Sequence, residues 1–179
     1  MRTNNRLATI TTIAAVSAVL SVAATSATGE QTRPPTSLDA SDLADGMRLY
    51  QQKANCAACH GWAGDGSKLD NQMPSGANLR ESKLPRELVV MTIKCGRPNT
   101  QMPAFDKFAY TDGRCSGMTQ ADLQKLTTRM PDPPSTLQPR EVDLLVDFLM
   151  TKVVGQGPMD RAKCVAFWGE DADPCRDLH

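Results

Sequence analysis

The sequence predicts an all-α fold, small and rich in loops. Several stretches carry apolar residues at helical spacing, no stretch alternates with the period of a strand, and Gly and Pro sit at the ends of the periodic stretches. At 179 residues the chain is long enough for one domain and short for two. No internal repeat is visible.

Taken in order, residues 1–27 read as a secretory signal peptide. Arg2 and Arg6 form a basic start, Leu7 to Ala24 is largely apolar, and Thr25 and Ala27 offer a small-residue cleavage site. An uncleaved membrane anchor is the alternative, but the apolar run is short and rich in Thr and Ala. Export of the cleaved chain to the periplasm, an oxidising compartment, is the expectation. Residues 28–40 are polar, with a Pro-Pro step, and read as a flexible lead-in to a domain spanning 41–157.

The first helix is expected to start near Ser41, capped by its hydroxyl, and to run to about Ala54 with Leu43, Met47 and Tyr50 on one face. Residues 61–78, rich in Gly, Asp, Ser and Asn, form a loop. A second helix is expected from Pro85 to Cys95, closed by Gly96, with Leu88, Val89, Ile93 and Met91 on its buried side. A third, shorter helix spans Thr119 to Met130 and is broken by Pro131, Pro133 and Pro134. The clearest helix is Pro139 to Val154, where Val142, Leu145, Val146, Leu149 and Val153 make one apolar face. Residues 158–179 form a C-terminal extension with two cysteines and no strong period.

Charge excludes some partners. The 20 Lys and Arg balance 20 Asp and Glu. No basic stripe interleaved with aromatics appears, so no nucleic-acid partner is expected, and a membrane is reached only by way of partners. Only eight residues are Phe, Trp or Tyr. A buried flat cofactor would supply apolar area that these side chains do not.

The informative motif is Cys56-Ala57-Ala58-Cys59-His60. A thioredoxin-like thiol pair would need strands on either side, and none is predicted. A zinc site would need a second pair of ligands, and the only other histidine is His179. A disulfide between Cys56 and Cys59 leaves His60 unexplained. Haem attachment accounts for all three. Two thiols add across the two vinyl groups and tether the ring to one short turn, which sets the next imidazole under the iron. One covalent haem c is therefore the expected cofactor.

With Gly46-x-x-Leu49-Tyr50 ahead of the motif, this stretch resembles the first helix and haem-binding turn of class I single-haem c-type cytochromes of the bacterial periplasmic kind. Gly96, Met102-Pro103-Ala104-Phe105 and the final amphipathic helix follow in that family's order. The resemblance covers residues 42–154. It implies a small cytochrome c-like helical fold around one covalent haem, with an insertion (about 106–138) before the last core helix and a C-terminal extension. It further implies His60 and Met102 as the axial iron ligands, with Leu79 and Phe105 in the haem pocket. Three Met-Pro steps, at Met73, Met102 and Met130, compete for the sixth position. Met130, just ahead of the final helix, is the fallback. The family places Gly-Pro-Asn-Leu below the histidine where this chain has Gly76-Ala77-Asn78-Leu79, so a backbone carbonyl near Ala77 has to orient His60.

Of the remaining cysteines, three pairings are open. Cys95–Cys115, closing a loop around Met102, and Cys164–Cys175, pinning the tail, are the expected ones. The implied function is one-electron transfer between redox proteins, with a dehydrogenase (a quinoprotein alcohol dehydrogenase among the options) as donor and an oxidase or other cytochrome as acceptor. No catalytic constellation is visible, so an electron-transfer protein rather than an enzyme is expected. Two alternatives stay open: a haem protein with an open or labile sixth site, serving gas sensing or peroxide chemistry, and a non-haem structural protein stapled by disulfides.

Overall fold

A computed structural model describes residues 38–68, 70–170, 172–176 and 178. The expected signal peptide, most of the lead-in and His179 lie outside the described residues. The described residues belong to one unit, residues 35–179, and contain helices and turns with no strand.

Helix α1, Ala40–Arg48, starts one residue ahead of expectation, and its cap differs too. The Asp39 carboxylate, not the Ser41 hydroxyl, serves as cap and accepts from the Ser41 backbone N–H at 3.1 Å. A carboxylate here also meets the positive end of the helix dipole. The helix does not run on evenly to Ala54. It widens into a π turn over Leu49–Lys53, where Ala54 N–H reaches back to Leu49 C=O at 2.9 Å. This wider turn leaves Leu49 and Tyr50 buried and delivers the chain into the short helix α2, Ala57–His60.

Helix α3, Arg86–Cys95, opens after Pro85 and stops at Gly96, whose φ of 64° is a backbone conformation glycine adopts without penalty. Its buried face is narrower than the sequence predicts. Val89 and Ile93 point inward, whereas Leu88 and Met91 are 46% and 49% exposed. Five apolar residues in one short helix give a stripe wider than a single neighbour can cover, and only the i, i+4 pair meets the core.

Helix α4 is also shorter than expected, Gln120–Leu123 rather than Thr119 to Met130. Asp122 closes its start, accepting from the Thr119 backbone N–H at 3.0 Å. Beyond Leu123 the chain turns, and Thr127–Thr128 followed by Pro131 disfavours further helix. Helix α5, Pro139–Lys152, has Pro139 in its first turn and Glu141 accepting from the Gln138 N–H at 2.8 Å. Val142, Leu145, Val146, Leu149 and the following Val153 are buried as the periodicity predicts, and Phe148 joins them. The tail contains structure that its weak periodicity conceals: helix α6, Arg161–Trp168, capped by Asp160, then a 3-10 turn, Asp173–Cys175.

Helices α1 and α5 pack together as the central contact, with α3 also against α5. The crossing is close because position 46 has no side chain. A Cβ on Gly46 would sit 2.6 Å from Phe148 Cβ and closer still to the Leu144 carbonyl. The main core gathers Leu49, Tyr50, Val89, Ile93, Phe105 and the buried face of α5. Full burial of a residue such as Leu145 contributes about 1.5–3 kcal/mol. A second, smaller cluster lies within the insertion, around Ala109, Tyr110 and Cys115, with Met118, Leu123 and Met130 against it.

Candidate haem-attachment site

Six cysteines separate cleanly into two groups. Cys95 pairs with Cys115 and Cys164 with Cys175, at Cα–Cα 5.5 Å in each pair, while Cys56 and Cys59 have no sulfur partner. Burial pushes the Cys56 thiol up to about 12, and burial is also the main cause that raises Cys59. Neither is the stabilised thiolate that a thiol–disulfide exchange site requires. Two neutral thiols one helical turn apart suit addition to vinyl groups better than redox cycling.

The turn that carries them is held from both sides. His60 N–H donates to the Cys56 carbonyl at 2.9 Å, and Gly61 N–H to the Ala57 carbonyl at 2.9 Å. The glycine-rich loop folds back beneath, with Gly66 N–H on the His60 carbonyl and Gly76 N–H on the Cys59 carbonyl, both at 2.8 Å. Above, the buried Tyr50 hydroxyl donates to the Gly61 carbonyl at 2.6 Å.

This loop sets the imidazole. Nδ1 of His60 lies 2.8 Å from the Ala77 carbonyl oxygen. A carbonyl only accepts, so Nδ1 carries the proton and Nε2 keeps its lone pair. Burial lowers the His60 pKa, with the Ala77 carbonyl pulling the other way, so the ring stays neutral at pH 7. The proline that the resemblance leads one to seek is not needed, because the Ala77 carbonyl supplies the acceptor. Gly76 is packed against the same ring: a Cβ there would sit 2.6 Å from Nδ1 and 2.8 Å from Cγ.

The methionines occupy different places. Met102 packs against the main core, the cluster that also includes Cys56, Leu79 and Phe105. Its loop is closed locally, with Arg97 N–H on the Met102 carbonyl at 3.1 Å and Met102 N–H on the Thr100 hydroxyl at 3.2 Å. Phe105 is buried and tied to α3 through Ile93 C=O at 3.1 Å. Met130 lies in the insertion cluster, its sulfur 2.7 Å from where a Cβ on Gly96 would stand. Met73 is 37% exposed in its loop.

The donor set fits a covalent haem: two unpaired thiols, one neutral imidazole whose Nε2 keeps its lone pair, and the Met102 thioether packed against the core that Cys56 also meets. Sequence reasoning placed Gly76 in the stretch below the histidine but missed its close approach to a ring 16 positions earlier. It also missed Arg80, the one charged residue buried among the described residues, and Trp168 of the tail, which meets Trp62 beside the motif. Nothing local marks any of the three.

The described residues form a small all-α fold with no strand, consistent with a cytochrome c-like one. Residues 41–120, rather less than half of the chain, match the family model described as cytochrome C oxidase, cbb3-type, subunit III. The match supports a c-type cytochrome, with haem as its cofactor and redox proteins as its partners. No curated protein and no solved structure matches the chain. Among the described residues no helix is long and apolar enough to cross a membrane.

Proposed function

We propose that this chain is an exported single-haem cytochrome c that carries one electron at a time between larger redox proteins. In this reading residues 1–27 are removed on export to the periplasm, where the two other cysteine pairs stand as disulfides. The observation that carries it is the pair Cys56 and Cys59, left without a sulfur partner while the other four cysteines pair, beside an imidazole held by Ala77.

The haem would supply an iron that changes oxidation state by one electron. The protein's own groups do the rest. Cys56 and Cys59 would hold the ring through thioether bonds to its two vinyl groups. His60 offers Nε2 to the iron, oriented by its Nδ1–H on Ala77. Met102 would offer its thioether as a second ligand, on a loop closed by Arg97 and Thr100. Pro103 limits the freedom that loop would otherwise lose on binding. With His60 and Met102 both serving as ligands, small molecules would be kept from the metal, so transfer rather than catalysis is the role.

The donor is read as a dehydrogenase, a quinoprotein alcohol dehydrogenase being the specific case, and the acceptor as a terminal oxidase or another cytochrome. The likeness of residues 41–120 to an oxidase subunit supports the acceptor side of this reading.

Haem staining of a denaturing gel tests the attachment, since a thioether-bound ring survives denaturation. The wild-type band is expected to stain and the Cys56→Ser, Cys59→Ser double variant to lose the stain. An unstained wild-type band from haem-loaded cells would sink the reading. Carbon monoxide added to the reduced protein tests the sixth ligand: slow, incomplete binding is expected, and Met102→Ala should bind at once.

A further inference from the structure

Five of the chain's eight aromatic residues form one continuous contact path around the outside of the motif. Trp62 meets Trp168 edge-on at 6.0 Å between ring centroids. Trp168 meets Phe167 at 5.1 Å, Phe167 meets Phe148 at 5.3 Å, and Phe148 meets Tyr50 at 5.8 Å. The Tyr50 hydroxyl closes the circuit on the Gly61 carbonyl, one residue before Trp62. Both ends of the path therefore grip the chain directly after His60.

Two members of the path, Phe167 and Trp168, come from α6, well outside the stretch that matches the family model. The tail is fixed on its own by the Cys164–Cys175 pair and by Arg161, whose guanidinium donates to the Cys175 carbonyl at 2.8 Å. Trp168 and Trp62 border a cleft of about 460 Å³ whose other walls include Ala57 and Ala58, the two residues between the motif cysteines. Both alanines are more than nine-tenths buried. The Trp168 indole N–H has no hydrogen-bond partner among the described residues. Its ring contact, not a polar bond, holds it in place.

We propose that Trp168 is a positioning residue for the haem-attachment turn: the C-terminal extension clamps Trp62 and limits the access of water to the outside of the Cys56–His60 turn. This rests on the haem reading. Water and dipoles near a haem favour the more highly charged ferric form, so exclusion of water raises the reduction potential. Loss of the clamp lowers it.

The test is the midpoint potential of the purified holoprotein for wild type, Trp168→Phe, Trp168→Ala and Thr119→Ala. The last removes the Thr119 hydroxyl, which donates to the Asp122 carboxylate at 2.8 Å at the start of α4, and so perturbs the insertion away from the turn. Trp168→Ala is expected to shift the midpoint to lower potential, Trp168→Phe to shift it less because a ring remains, and Thr119→Ala to leave it in place. If Trp168→Ala does not accumulate, the Cys164→Ser, Cys175→Ser pair, which frees the tail, is expected to give the same downward shift. A midpoint unmoved by loss of the ring or release of the tail overturns the proposal, as does an equal shift in Thr119→Ala. A wild-type protein without gel-stable haem overturns instead the reading beneath it.

Discussion

Arg80, only 1% exposed, donates through Nε to the carbonyl of Gly157, joining the loop below the motif to the segment that follows α5. Its Nη1 is near two further carbonyls, Ala63 at 3.3 Å and Lys152 at 3.4 Å. A cation is thus dissolved in backbone oxygens instead of paired at close range with a carboxylate. Burial lowers its pKa, and the fields of Asp65 and Asp160 act the other way, which keeps it charged.

Arg80→Met should cost about 2–3 kcal/mol, because three buried or part-buried carbonyls lose their donor together. Arg80→Lys should recover only part of this, since an ammonium cannot span carbonyls set out for a planar fork. Urea unfolding midpoints at neutral pH measure both.

Gly76→Ala should disturb the imidazole directly. The added methyl would need the space of the His60 ring, 2.6 Å from Nδ1, and either the ring tilts or the loop moves away. Overpacking of this kind costs about 1–3 kcal/mol. The expected signature is a changed ferric haem spectrum together with lower thermal stability. A spectrum identical to wild type would show that Gly76 has no part in setting the ring.

Glu141 gives the fold an acid limb. Its carboxylate accepts from the Gln138 N–H at 2.8 Å and from Lys53 Nζ at 2.6 Å, and these contacts, Gln138 first, lower its pKa. A carboxylate whose folded pKa is depressed stabilises the protein above its ordinary value, and that stabilisation is lost as pH falls through the folded value. Glu141→Gln should therefore cost about 0.5–1 kcal/mol at pH 7 and progressively less from pH 7 down into the acid range. Thermal midpoints across that range give the comparison.

The Cys95 and Cys115 pair bounds the segment that carries Met102, and the Tyr110 hydroxyl donates to the Cys95 carbonyl at the same place. Replacing both cysteines by serine should cost about 3 kcal/mol, given the 20-residue separation. If Met102 is the sixth ligand as proposed, the same change should weaken the iron–sulfur charge-transfer band of the ferric protein. An undiminished band would mean that the pair secures the insertion without steadying the ligand loop.

Local chemistry was readable in the sequence, and long-range choice was not. The apolar face of α5 and the stop at Gly96 are each written in neighbouring residues. The inward face of α3 is not, because Leu88 and Val89 are equally apolar and only the position of α5 selects between them. Asp39 displaces Ser41 as cap over a distance of two residues, too fine for pattern to decide. Burial of Arg80 depends on Gly157, and the docking of Trp168 depends on Trp62, contacts between segments with no shared period.

The crossing of α1 on α5 also bears on how fast the chain can fold. Gly46 and Phe148 are in contact although more than a hundred residues lie between them. Closing so long a loop costs entropy before any packing is gained, which slows helical proteins that otherwise collapse through local contacts. The rate-limiting step of folding is therefore expected to be the meeting of these two helices, with the insertion and the tail settling on either side of that event.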